Sequence, residues 1–231
     1  MPRKCWGALH AAFIIAVLGP GIFASRAKAD DSLHELFFGT DVSVTSRFVY
    51  SGAIAAPMGG LDQPGLRIRA YGGTGEYKLD DGTWVDKQSG HLLAGWAHWQ
   101  GDLGLTIYAG VAAERHDAPT TQSKHGTKTG AAVLAEGWWR ADPRTVVSAT
   151  AGYADVYETL SGRIGVTHEI TERWGVIAEL RGIDDIDGPY WAAGAGITAH
   201  VRGIDAAVIA GASGDDDDTG FSLRAEIKSR R

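Results

Sequence analysis

The sequence predicts an all-β protein, an antiparallel outer-membrane β-barrel of ten or twelve strands. Three observations predict this fold. Apolar and polar residues alternate along most of the chain after residue 34, aromatic residues lie at the ends of the apolar faces, and the connections alternate in length. Glycine accounts for 32 of 231 residues, about twice its usual share of ~7%. So much glycine favours a β-rich chain with many tight turns.

The composition excludes several classes of protein. A chain with 44% hydrophobic and 22% charged residues is too polar for a bundle of transmembrane helices and too apolar for a disordered chain. The formal net charge of −6 argues against a nucleic-acid partner. A single cysteine cannot build a disulfide framework.

The first 29 residues have the pattern of a secretory signal peptide. Arg3 and Lys4 precede an apolar run over 6–24, and Ala27-Lys28-Ala29 forms a cleavage site of the A-x-A type. The alternative is a retained membrane anchor, but the run is barely long enough to span a bilayer and is interrupted by Gly19-Pro20-Gly21. Four of the 22 basic residues and none of the 28 acidic ones lie in this segment, so the mature chain has a net charge of −10. We therefore expect an exported protein with one β-barrel domain over 30–231, in the outer membrane of a Gram-negative bacterium.

Alternation along the mature chain defines about eleven strand candidates. In the first, Leu36, Phe38 and Val42 alternate with polar or small residues such as Glu35 and Asp41, which gives one apolar and one polar face. A length of roughly ten residues suits a tilted strand that crosses a bilayer. In chain order the candidates are 36–50, 66–77, 91–100, 105–114, 129–136, 145–154, 160–167, 174–181, 189–201, 204–213 and 221–228.

Alternation alone does not distinguish a barrel from a soluble sandwich, whose apolar faces would pack on a second sheet. The aromatic residues favour the barrel, because indole and phenol rings prefer the membrane interface. The expected girdles comprise Phe48, Tyr50, Tyr153, Trp191 and Phe221 near one rim and Phe38, Trp99, Trp139 and Trp174 near the other. The polar faces then line the interior with Arg47, Arg67, Arg69, Glu136, Arg163, Glu179, Arg181, Arg224 and Glu226.

Connection lengths also favour the barrel, since periplasmic turns are short and outer loops are longer. Short turns are predicted at 101–104, 141–144, 171–173 and 202–203, and longer polar loops at 116–126, 183–188 and 214–219. Eleven strands would leave the N-terminus on the wrong side, and bacterial barrels have even strand numbers. We expect the error to lie between residues 51 and 90, which leaves ten or twelve strands. A barrel of this size is narrow, so we expect opposed charges to fill most of its interior.

Three segments resemble the cellulose biosynthesis protein BcsS family: the runs Tyr50–Tyr77, Leu105–Asp117 and Ala135–Trp139. The resemblance implies an outer-membrane protein that accompanies bacterial cellulose synthesis and secretion, with no established chemistry. It implies contact with outer-membrane lipid and with cellulose or components of its secretion. One departure is the end of the chain, Lys228-Ser229-Arg230-Arg231, where outer-membrane barrels often carry a terminal aromatic residue.

No catalytic, cofactor or metal site is predicted. The glycine runs 72–75 and 193–196 fit curved strands better than phosphate loops, because neither opens a helix or carries a Gly-Lys-Ser/Thr motif. The acidic groups 184–187 and 215–218 are interpreted as solvated loop charges, with Ca²⁺ binding as the alternative. Ser161 and Ser222 lack a nucleophile elbow. No pair of histidines has the close spacing of a metal site in the set His34, His91, His98, His116, His125, His168 and His200.

The predicted function is a non-enzymatic accessory barrel for cellulose secretion. Two alternatives remain: an outer-membrane enzyme that modifies lipid or glycan, and a soluble periplasmic sandwich or lipocalin-like binder. Trp84, Trp138 and Trp191 are candidates for stacking on sugar rings, although girdle or interior packing also explains them.

Overall fold

The computed structural model describes residues 32–79, 81–119, 122–215 and 218–231. In these residues twelve antiparallel strands form a closed barrel, and each strand pairs with its neighbours in the chain. The barrel closes where the first strand pairs with the last. The predicted fold is therefore confirmed, with twelve strands. The predicted signal peptide lies outside the described residues.

The strands differ in length, from 10 to 17 residues. A short 3-10 helix at Val156–Glu158 separates the seventh strand from the eighth. The strands are β1 His34–Ser43, β2 Ser46–Ala55, β3 Gly65–Lys78, β4 Trp84–Gln100, β5 Leu103–His116, β6 Gly126–Asp142, β7 Thr145–Ala154, β8 Thr159–Glu169, β9 Trp174–Asp185, β10 Gly188–Val201, β11 Ile204–Gly214 and β12 Thr219–Arg230.

The apolar faces of the strands point outwards. Ile107 and Val111 on β5 are 59% and 60% exposed, and Val133 beside them on β6 is 51% exposed. Cross-strand partners share a face, so the intervening residues, such as Tyr108 and Ala132, point inwards and are buried. A water-soluble barrel would not expose such a continuous apolar surface, whereas lipid accommodates it.

The first strand candidate, 36–50, is in fact two strands. A two-residue turn at Val44-Thr45 separates β1 from β2, and the amide of Thr45 donates to the Ser43 hydroxyl at 3.3 Å. Across such a turn Ser43 and Ser46 share a face, so the alternation changes phase. The missing strand boundary therefore lies at 44–45, and not between 51 and 90 as expected. The sequence signal was weak because this turn contains neither glycine nor proline.

The change of phase reverses three predictions for β2. Phe48 and Tyr50 face the interior instead of forming part of a girdle, and Arg47 faces outwards. The Tyr50 ring packs over Gly39 of β1, where an added Cβ would lie 2.4 Å from the ring. The glycine thus makes room for an aromatic residue inside the barrel.

The two ends of the barrel differ in their connections. The end that carries both termini, called here the termini end, has short turns at 101–102, 143–144, 170–173 and 202–203. The opposite end, called the loop end, has connections at 44–45, 79–83, 117–125, 155–158, 186–187 and 215–218. The four predicted short turns lie at one end and the three predicted longer loops at the other, although the loop-end connections at 44–45 and 186–187 are only two residues long. One feature was not predicted: the nine-residue loop 56–64 lies at the termini end.

Six predicted girdle residues face outwards. Trp139 and Trp174 lie near the termini end, Phe38 lies midway along β1, and the others lie near the loop end. These others are Tyr153, Trp191 and Phe221. Trp99 was predicted for a girdle but faces the interior, since its partner Gly104 is on the inward face of β5.

Candidate functional site

The interior of the barrel is the candidate site, because the buried charges of the chain converge there. Eight of the nine predicted interior charges face inwards: Arg67, Arg69, Glu136, Arg163, Glu179, Arg181, Arg224 and Glu226. The exception is Arg47. Its side chain points outwards, pairs with Glu76 at 3.2 Å and lies 5.0 Å from the ring centre of Trp84.

A cluster of ion pairs crosses the middle of the interior. Nη1 of Arg224 on β12 donates to both carboxylate oxygens of Glu179 on β9, at 2.6 and 2.7 Å. Nη2 of Arg224 donates to Glu226 at 2.5 Å, and the Tyr50 hydroxyl donates to the same oxygen at 2.7 Å. Nη1 of Arg163 lies 3.9 Å from both glutamates. Because β2, β8, β9 and β12 lie on different parts of the wall, the cluster spans the barrel.

Other ion pairs extend this arrangement. Arg181 on β9 contacts Asp41 on β1, and Arg69 on β3 pairs with Glu136 on β6 at 2.7 Å. Nε of Arg69 also donates to Nε2 of His91 at 3.3 Å. Both ion pairs join strands that are not neighbours in the wall, whereas the Arg69–His91 contact joins the neighbouring strands β3 and β4.

Little space remains beside the central cluster. A cavity of about 10 Å³ borders Glu179, Arg181 and Arg224, which is about the volume that one water molecule needs. Opposed charges meet across the middle of the interior, as the alternation predicted. Paired in this way, the charges hold opposite walls together and leave few free ionic groups in the middle of the barrel.

At the termini end, a buried arginine holds the loop 56–64. Arg67 is only 2% exposed, and its guanidinium donates to the carbonyl oxygens of Gly60 at 2.9 Å, Leu61 at 3.0 Å, Leu66 at 2.9 Å and Gln63. Arg230 ties the loop to the wall as well, through Asp62 at 3.4 Å and Glu35 at 2.8 Å. Neither this loop nor its contact with Arg67 was predicted from the sequence.

At the loop end, residues 122–125 of the loop 117–125 contact the barrel through Ser123 and Lys124. Lys124 is 8% exposed, and its ammonium group lies 2.6 Å from Asp185 and 3.0 Å from Asp187. The Ser123 hydroxyl contacts Asp187 too. We call Ser123, Lys124, Asp185 and Asp187 the Lys124 latch, because they join the 117–125 loop to the hairpin of β9 and β10.

The latch affects the ionisation of Asp187. Partial burial disfavours the charged carboxylate, but the hydrogen bond from Ser123 and the charge of Lys124 outweigh this cost. Together they hold the pKa of the Asp187 carboxyl below its ordinary value of 3.8. Since Asp185 and Asp187 already have a cationic partner, the acidic group 184–187 is not a set of purely solvated charges. In the group 215–218, the Asp218 amide donates to the Asp215 carboxylate at 2.7 Å.

Two tryptophans form a stacked pair inside the termini end. The rings of Trp99 on β4 and Trp138 on β6 are 6.3 Å apart and within 13° of parallel. Gly104 of β5 lies between them in register, and an added Cβ there would lie 2.6 Å from the Trp99 ring. Of the three predicted sugar-stacking candidates, only Trp138 faces the interior. Trp84 and Trp191 face outwards.

The predicted histidines and serines are dispersed. His91 and His116 face the interior, His98 and His168 face outwards, and His200 pairs with Asp205 at 2.6 Å at the termini end. Ser161 and Ser222 face inwards, and within the described ranges neither makes a hydrogen bond to a histidine. The described residues contain no group of three or more potential metal ligands from His, Cys, Asp and Glu. The glycine runs 72–75 and 193–196 lie within β3 and β10.

A comparison with known protein families matches a family model to residues 35–230, which is all of the barrel except its first residue, His34. The matched family is described as cellulose biosynthesis protein BcsS. This chain belongs to the BcsS family. A sequence comparison with curated proteins finds no match. The described part of this BcsS-family chain contains no helix with the length and apolar character needed to span a bilayer.

Solved structures with a similar fold are outer-membrane barrels. The β domain of the Bordetella autotransporter BrkA aligns with a TM-score of 0.56 and 13% identity, over 87% of this chain and 100% of that one. The KdgM porin aligns with a TM-score of 0.52 and 5% identity, over 84% and 98%. An outer membrane channel from Pseudomonas putida F1 gives a TM-score of 0.53 and 8% identity, over 93% and 100%. At these identities the likeness concerns the fold alone.

Proposed function

We propose that this protein is a non-enzymatic outer-membrane barrel that accompanies the synthesis and secretion of cellulose in a Gram-negative bacterium. The observation that carries the proposal is the match to the BcsS family over 35–230, which is all but the first residue of the closed barrel. Its partners are outer-membrane lipid around the wall, and cellulose or components of its secretion at the ends.

The orientation follows from the connections. In bacterial barrels the short turns and both termini face the periplasm, and the longer loops face outwards. We infer that the termini end is periplasmic and that the loop end, with the Lys124 latch, is extracellular. The chain reaches this position after export and removal of residues 1–29, whose pattern is that of a cleaved signal peptide.

The ionic groups of the interior support a structural role. Ion pairs inside the barrel join Arg224 to Glu179 and to Glu226. A general acid or base, by contrast, must be able to reach a substrate. The barrel thus presents its two ends, and not a reactive centre in its middle, to the secretion machinery.

The role is tested by deleting the gene in a cellulose-producing host. We expect less cellulose at the cell surface but unchanged polymerising activity in isolated inner membranes, because an outer-membrane barrel cannot reach an activated sugar donor in the cytoplasm. Loss of polymerising activity in those membranes would contradict the proposal.

The non-enzymatic role is tested by complementing the deletion with a variant in which His98, His168 and His200 are all replaced by alanine. These side chains lie on the outer face or at the termini end, and we expect surface cellulose to be restored in full. If the triple variant fails to restore cellulose while it remains folded, as judged by heat-modifiable migration in gels, an enzymatic barrel is the better explanation.

A further inference from the structure

Both rings of the Trp99–Trp138 pair face the interior of the barrel and not the lipid. Both indoles point into the barrel at the termini end and both remain partly exposed. Gly104 removes the side chain that would collide with the Trp99 ring, and the two rings lie 6.3 Å apart and nearly parallel across β4, β5 and β6. Tryptophans at a lipid interface face outwards, as the adjacent Trp139 does.

Polar groups lie beside the tryptophan pair. Ser148 and Thr150 of β7 are the register partners of Trp138 and Glu136, and all four side chains point inwards. A row of hydroxyl groups therefore follows the edge of the indole pair.

The anchors of the loop 56–64 lie on other strands than the tryptophan pair. Its backbone is held by Ser32 beside β1 and by Arg67 on β3, and Asp62 pairs with Arg230 on β12. The tryptophan pair and the hydroxyl groups lie further round the wall, on β4 to β7. The loop and the aromatic pair are therefore carried by different strands of the periplasmic mouth.

We propose that the Trp99–Trp138 pair, with Ser148 and Thr150 beside it, is a binding site for a β-1,4-linked glucan chain. Such a chain is a flat ribbon whose sugar faces carry C–H groups and whose edges carry hydroxyl groups. The faces stack on the indoles, which offer large apolar surfaces, and the edges meet the hydroxyl groups of Ser148 and Thr150. Because charged pairs cross the middle of the barrel, the site holds a glucan chain at the periplasmic mouth and does not conduct it through the interior. This inference rests on the proposed function, since the link to cellulose comes from the family.

The site is tested by calorimetric titration of the folded full-length barrel in detergent with cellohexaose, and with maltohexaose as the α-linked control. We expect binding of cellohexaose only. Trp138→Ala and Trp99→Ala should each weaken it about tenfold, which corresponds to about 1.4 kcal/mol. The matched control is Trp139→Ala, which removes the neighbouring indole from the outer face and should leave the affinity unchanged.

Two further variants keep the test informative if an alanine variant does not fold. Trp138→Phe retains a smaller ring and should weaken binding less than alanine does, and Gly104→Ala should weaken it because the added methyl group displaces Trp99. Absence of cellohexaose binding, equal binding of maltohexaose, or equal loss in Trp139→Ala and Trp138→Ala would each overturn the inference. If the barrel binds no glucan but its deletion still lowers surface cellulose, only this inference fails and the proposed function stands.

Discussion

A charge placed on the outer face at Val133 measures directly whether lipid surrounds the barrel. Trp139, on the same face of β6, lies six residues from Val133 towards the termini end, and Thr129 lies four residues away in the other direction. At about 3.4 Å per residue and a tilt of about 40°, these separations are about 15 and 10 Å along the membrane normal. Their total is close to the ~25 Å height of the apolar band, so Val133 lies near its middle.

Val133→Arg should therefore cost about 2–4 kcal/mol of unfolding free energy, whereas Thr129→Arg, near the interface, should cost about 0–1 kcal/mol. Both positions face outwards and neither substitution disturbs the interior, so the difference reports depth in the membrane. The measurement is a reversible urea titration of the barrel in lipid vesicles, followed by tryptophan fluorescence. Equal costs at the two positions would refute the placement of this face in lipid. Ala132 is a poor control, since it is buried against Leu93 and Tyr108.

Three other perturbations test the interior and the ends. Arg224→Met should destabilise the barrel by about 3–5 kcal/mol in the same titration, because it removes the closest cationic partner of two buried glutamates; a cost below about 1 kcal/mol would contradict the geometry of the cluster. Arg67→Met should speed amide hydrogen exchange in the loop 56–64, because it leaves several carbonyls without donors. Unchanged exchange would refute the role of Arg67 in holding this loop. Lys124→Met should expose the loop 117–125 to proteinase K in intact cells, and continued protection would show that the latch is dispensable.

The latch should also respond to pH. The Asp187 carboxyl has a lower pKa in the folded protein than its ordinary value of 3.8, so its stabilising contribution is complete above that value and is lost as the pH falls below it towards the lowered pKa. Protection of the loop 117–125 from hydrogen exchange should therefore be constant from neutral pH down to about 4 and should fall below it. Asp187→Asn should remove this step, and a step that persists in the variant would assign it to another group.

Much of the barrel was predictable because a strand that has lipid on one side and a packed interior on the other must alternate. The interior positions of Arg69, Glu179 and Arg224 followed from this alternation without any knowledge of their partners. Alternation does not reveal a turn whose own residues continue the pattern of the strands. The Val44-Thr45 turn is built from strand-like residues, so the phase change that sends Tyr50 inwards and Arg47 outwards left no mark in the pattern.

The contents of the two ends were less predictable, for a different reason. Lys124 meets Asp185 and Asp187, and Arg67 meets Gly60 and Leu61, only after the loops have folded back onto the barrel. A periodic pattern describes which side of the wall a residue occupies, and it carries no information about how a loop returns. The pairing of Trp99 with Trp138 was predictable only in part. The strand register brings both residues level with Gly104, but Trp99 was expected to face the lipid.

The closing seam between β1 and β12 has a kinetic consequence. Eleven of the twelve strand pairings join neighbours in the chain, and only this one joins distant segments, as in the contact of Glu35 with Arg230 across 195 positions. Hairpins form within microseconds, whereas joining distant segments must first overcome the entropy of closing a long loop. Until the seam closes, β1 and β12 are open edges on which another chain can pair. Weakening the Glu35–Arg230 contact should therefore lengthen the lifetime of the open sheet and increase aggregation during assembly, even where the finished barrel is scarcely less stable.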